Sequence, residues 1–181
     1  MSAALHRDVV ATLTDWSAPD AAQERFRTTY LAHLAANPDG HTRDCHPDHI
    51  TASTLVVDED RRQVLLNLHG KYGIWVQFGG HCEPDDQTLA AAALREAVEE
   101  SGISALRLTS TAPVQLSTHE VRCGPIRPSH HLDVRYVAVS PAGAATSVSA
   151  ESRDVRWFDA TRLPDSLDAP LRDLIALALR S

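Results

Sequence analysis

Arg95, Glu96, Glu99 and Glu100 place a guanidinium and three carboxylates within six residues. On a helix over residues 87–101, at about 100° per residue, the glutamates share one face and Ala90, Ala91, Leu94 and Val98 share the opposite one. Like charges three and four positions apart cost a few tenths of a kcal/mol per pair, roughly, so something should offset them. A hard divalent cation held by carboxylate oxygens would do so. An ion so held would acidify a bound water and reduce the charge of an anionic group beside it. A solvated face carrying an Arg95–Glu99 ion pair is the plainer account of the same residues. The flanks favour the cation: Gly79-Gly80 makes a turn before the helix, and Gly102 stops it in a left-handed conformation.

The run from Gly79 to Ile103 resembles the Nudix hydrolase signature: glycine, five residues, glutamate, seven residues, Arg-Glu-aliphatic, one residue, Glu-Glu, one residue, Gly-aliphatic. Gly80, Arg95, Glu96, Glu99, Glu100, Gly102 and Ile103 match it. Asp86 replaces the first glutamate, one extra residue separates it from Arg95, and Ala97 replaces a bulky aliphatic. Asp86 is therefore expected not to reach a metal. The resemblance implies an α/β fold, a Nudix-type α/β/α sandwich whose mixed sheet carries the box as a loop-helix-loop. It implies Mg²⁺ (or Mn²⁺) as cofactor, held by Glu96, Glu99, Glu100 and the backbone carbonyl of Gly80, with Arg95 orienting a neighbouring glutamate. The implied reaction is metal-dependent hydrolysis of a pyrophosphate bond in a nucleoside diphosphate linked to another moiety X. Two alternatives stay open. One is an enzyme of the isopentenyl diphosphate isomerase type, for which Cys82 in Gly-Gly-His-Cys-Glu-Pro speaks; the other is a non-catalytic ligand sensor, against which the intact glutamate cluster speaks.

Several further residues are candidates. Lys71, in His69-Gly70-Lys71-Tyr72-Gly73, is placed to meet a phosphate, and His81 sits in the box turn where it would face the substrate. Glu120 or Glu151 is the candidate downstream acid. The segments Cys45-His46-Pro47-Asp48-His49 and His119…Cys123…His130-His131 hold metal-ligand residue types. Neither has a paired Cys-x2-Cys or the spacing of a structural zinc site, so the chain is expected to carry no stoichiometric zinc. Were zinc present, Cys123, His119 and His131 would be its ligands.

Composition bounds the partners. A net charge of −7 and the lack of a basic stripe argue against an electrostatic grip on nucleic acid. Three cysteines, an odd number, without a secretory apolar segment point to a reducing, cytoplasmic setting. The apolar stretches are too short for a membrane span.

The elements that would position the cluster follow from periodicity. Residues 2–16 and 20–36 read as helices, the first with Val9, Val10, Leu13 and Trp16 on one face, the second with Phe26, Tyr30, Leu31 and Leu34. Asn37-Pro38-Asp39-Gly40 ends the second. Residues 50–57 and 63–68 form a hairpin around Asp58-Glu59-Asp60. Residues 73–78 enter the box as a strand, residues 106–117 are extended and broken by Pro113, and 132–139 and 155–158 are further strands. Residues 167–179 form a closing helix. Residues 1–40 thus read as an N-terminal helical extension, either a cap or the surface of a homodimer, and 45–181 as the Nudix domain.

Overall fold

The computed structural model describes residues 3–180. Two helices open the chain, α1 (Ala3–Asp15) and α2 (Ala21–Ala36), followed by β1 (His49–Asp58) and β2 (Gln63–His69). The strand expected over 73–78 splits at Gln77 into β3 (Trp75–Val76) and β4 (Phe78–His81), because β3 pairs with β2 and β4 with β1. Then come α3 (Leu89–Ser101), β5 (Arg107–Leu108), β6 (Gln115–Val121), β7 (Ser129–Ser140), β8 (Ser152–Asp159) and α4 (Ala169–Ala178).

The strands form one mixed sheet of eight, ordered β3-β2-β1-β7-β5, with β4 added to β1, β6 to β7 and β8 to β2. β1 is central: antiparallel to β2 and β4, it runs parallel to β7 in an unbroken register from His49↔His131 to Asp58↔Ser140. Successive side chains on a strand face opposite sides, and here the two sides have different neighbours. Ile50, Ala52, Val134 and Tyr136 pack beneath α1, α2 and α3. Leu55, Val57 and Val137 pack beneath α4. The sheet therefore lies between helical layers, an α/β/α sandwich. Toward the other end of the α4 side the same alternation brings up polar residues, Thr51, Ser53, Asp133 and Arg135, all buried. They satisfy one another: Asp133 accepts from Thr51, Ser53, Gln77 and Arg135, and Arg135 donates to Gln115.

α1 and α2 belong to this core. Leu5, Val9, Leu13, Tyr30 and Leu34 are almost fully buried in one cluster with Ile50, Leu116 and Val134. Asp8 of α1 accepts the Leu89 N–H at 2.7 Å, supplying a partner to one of the free donors at the start of α3. Among the described residues, no helix is long and apolar enough to cross a membrane.

Candidate functional site

α3 is fixed at both ends by its own sequence. Thr88 caps it by accepting from Ala91 N at 3.1 Å, and Gly102 ends it in the left-handed region at φ 75°. The expected inward face needs correction. Leu89, Ala90, Ala92, Ala93 and Ala97 are buried, Leu94 and Val98 are half-buried, and Ala91 is exposed. The helix lies between the sheet and α1, and Ala97 is fully buried against Val56, Leu65 and Phe78 on the sheet side.

The glutamates are not all turned to solvent. Glu99 is exposed, whereas Glu96 and Glu100 are half-buried against β4. Glu100 Oε2 accepts the Gly79 N–H at 2.9 Å. Glu96 lies over Gly80, where an added Cβ would sit 2.7 Å from its Oε1. Gly79 is confined as tightly, since a Cβ there would run into Ser53 and the Ala52 carbonyl of β1. Burial raises the Glu96 pKa against the pull of Arg95, with Glu99 and Glu151 adding repulsion. Burial also pushes Glu100 up to about 7, opposed by the Gly79 N–H and reinforced by Glu96, Glu151 and Glu99. Glu151, just before β8, thus adds its charge to both carboxylates.

Arg95 is a clamp. Its Nε and Nη2 each reach one oxygen of Asp86 at 3.0 Å, Nη2 also donates to the His81 carbonyl at 3.0 Å, and Nη1 reaches Glu96 at 3.1 Å and Glu99 at 3.2 Å. Asp86 is buried and also accepts the Glu83 N–H at 2.7 Å. It holds the arginine that orients the glutamates.

The other candidates separate. Lys71 lies in the β2–β3 loop, with Nζ 5.2 Å from the Tyr72 ring centroid and 3.4 Å from the Arg122 carbonyl. In that loop the Gly70 N–H donates to the Glu151 carbonyl at 2.8 Å, so loop and acid are neighbours. Glu120, on β6, pairs in register with His130 of β7, away from the glutamates of α3. Cys82 is buried in the core beneath the helices, and burial pushes its thiol up to about 12.

His81 occupies a different environment from Gly80 beside it. Gly80 pairs with Ala52, on the side covered by α3, and His81 pairs with Thr51, on the other side. There its Nε2 lies 3.1 Å from His49 Nε2 and 3.8 Å from Cys123 Sγ. With His131, these residues bring four ligand atoms within 4.8 Å of one another, the one such group among the described residues. The expectation that the chain holds no four-ligand soft set is therefore corrected. Each His/Cys segment alone is incomplete, but the parallel pairing of β1 with β7 sets His49 opposite His131, and His81 and Cys123 complete the group. His119 stays outside it, its ring 5.4 Å from that of His131. Burial, followed by the neighbouring imidazole of His49 and by Arg43, pushes His81 down to about 4. Burial and the rings of His119, His81 and His49 push His131 down to about 3.

A family profile described as a NUDIX domain matches residues 47–178. No curated protein matches the chain. Solved structures with similar folds include a NUDIX family hydrolase from Clostridium perfringens, 24% identical, covering 73% of this chain and 96% of that one with a TM-score of 0.61. The dihydroneopterin triphosphate pyrophosphohydrolase of E. coli is 18% identical over 73% of this chain and 96% of its own, with a TM-score of 0.59. The NUDIX domain of NrtR from Shewanella oneidensis, solved with ADP ribose, is 20% identical over 82% and 96%, with a TM-score of 0.56.

Proposed function

The chain belongs to the Nudix hydrolase family, and from that premise we propose that it is a Mg²⁺- or Mn²⁺-dependent hydrolase cleaving the pyrophosphate bond of a nucleoside diphosphate linked to another moiety. One observation carries the reading: Glu96 and Glu100 are half-buried on the Gly79-Gly80 backbone, and Glu100 has no ion-pair partner among the described residues. Half-buried carboxylate oxygens of this kind suit a hard cation. Glu96, Glu99, Glu100 and the Gly80 carbonyl would hold it. When bound, such an ion neutralises phosphate charge and lowers the pKa of water.

The chain's own residues supply the rest. Arg95, fixed by Asp86, holds Glu96 and Glu99 in place before substrate arrives, so less reorganisation is needed during reaction. Glu151, whose charge reaches Glu96 and Glu100, is the downstream acid that accepts the proton of the attacking water. Lys71, in the loop hydrogen-bonded to Glu151, is the phosphate contact, and exposed Tyr72 offers an apolar ring beside it. Similar folds solved with ADP ribose or named for dihydroneopterin triphosphate support a substrate containing a phosphoanhydride. Cys82 is buried in the apolar core beneath the helices and does not open onto the glutamate cluster, which speaks against isomerase chemistry led by this thiol.

The test is a substrate panel of nucleotide sugars, ADP-ribose, dinucleoside polyphosphates, dNTPs and isopentenyl diphosphate, each with Mg²⁺ and with Mn²⁺. Turnover in ¹⁸O-labelled water should put label into one phosphate-bearing product. Turnover of isopentenyl diphosphate without label in phosphate would replace this reading with the isomerase.

A further inference from the structure

We propose that His49, His81, Cys123 and His131 form a tetrahedral site for one zinc ion, separate from the glutamate cluster, that ties the β6–β7 loop to the edge of the box. The four residues come from the start of β1, the end of β4, the loop after β6 and the start of β7. Zinc bound at about 2.1 Å by imidazole and about 2.3 Å by thiolate needs donors roughly 3.3–3.6 Å apart. The observed separations of 3.1 Å between the His49 and His81 nitrogens and 3.8 Å from His81 nitrogen to Cys123 sulfur bracket that range.

Two further observations point to a ligand. His49 Nδ1 lies 3.0 Å from the Cys45 carbonyl, the backbone contact that fixes a ring as the Nδ1–H tautomer and leaves Nε2 free to bind metal. His131 Nε2 is buried without a hydrogen-bond partner, which an uncharged polar atom seldom tolerates. The donors are three nitrogens and one sulfur, a soft set that selects zinc over the magnesium suited to carboxylates. With four protein ligands the coordination is closed, which marks a structural ion. Its placement gives it work to do. The His81 imidazole faces this group while the His81 carbonyl accepts from Arg95, so the ion would hold the strand end that the catalytic clamp grips.

The test uses the full chain, incubated with zinc sulfate, desalted and measured by elemental analysis; one zinc per chain is expected. Cobalt in place of zinc should give a thiolate-to-cobalt charge-transfer band, lost in Cys123→Ser. Cys123→Ser and His131→Ala should each bind zinc at least about tenfold more weakly, the minimum that even an outer-shell loss costs. Glu99→Gln and His119→Ala should keep one zinc. X-ray absorption at the zinc edge of wild type should require one sulfur and three nitrogen neighbours, a readout independent of whether the variants fold. Wild type without zinc, a cobalt band surviving in Cys123→Ser, zinc lost in Glu99→Gln, or a zinc shell of oxygens would each overturn the site.

Discussion

Arg95 shows how one side chain sets the character of its neighbours. Its guanidinium spans a buried aspartate, a backbone carbonyl and two glutamates, so changes at those partners, and at Glu100 beyond its reach, should have distinguishable effects. Glu99→Gln or Glu100→Gln should lower turnover by about two to three orders of magnitude, the scale of losing one transition-state charge partner. Stability should hold or rise as like-charge repulsion is relieved. Steady-state kinetics showing near-normal turnover in both would remove the proposed metal site. Asp86→Ala should instead act mainly on stability, costing about 1–3 kcal/mol because the half-buried Arg95 loses its buried partner. A fall in turnover as large as that of Glu99→Gln would make Asp86 a direct participant. Glu100 also gives a pH dependence. Its carboxyl is raised from 4.5 to about 7 in the folded chain, so its contribution to stability is full below its unfolded value and is lost as pH rises through about 7. In metal-free buffer wild type should lose more thermal stability than Glu100→Gln between about pH 4.5 and 7, by a few degrees in Tm, with the two series running parallel above that. Equal slopes in the two melting series would contradict the shift.

The glycine pair of β4 makes the corresponding argument for the elements. In Gly80→Ala the new methyl meets the Glu96 carboxylate, a movable group, so turnover should fall by at least about tenfold while the melting temperature changes little. In Gly79→Ala it meets the backbone of β1, which cannot give, so the chain should be destabilised by roughly 1–3 kcal/mol. Melting curves of the two proteins check both; a Gly80 variant less stable than the Gly79 variant would invert the argument. α3 and its glutamates were legible in the sequence because charge, spacing and terminal glycines are local signals. The division at Gln77 was not, since it reflects which neighbour each half pairs with. The His/Cys group was hidden for a stronger reason. His49 and His131 are 82 positions apart and meet through a parallel ladder, whose partner and register no local pattern announces.

At the scale of the whole molecule, the first two helices pack as part of the core. Removing residues 1–40 would uncover Ile50, Leu116, Val134 and Tyr136, so the shortened chain should be insoluble or lack a cooperative melt. A soluble fragment with wild-type turnover would instead make those helices a dispensable extension. The sequence showed these helices and their apolar faces but not what covers them, because their counterpart is strand surface from distant positions. The β1–β7 ladder has a last consequence, for synthesis. β1 leaves the ribosome long before β7, and during translation of roughly 80 residues, some 4–16 s at about 5–20 residues per second, one whole edge of the central strand has no partner. An open apolar edge recruits other chains, so the interval is when this protein is most exposed to misassembly. Arrested nascent chains with residues up to about 125 outside the ribosome should be cleaved readily by added protease, and those with the whole of β7 outside should resist it. Equal resistance would mean that β1 is protected before its partner exists.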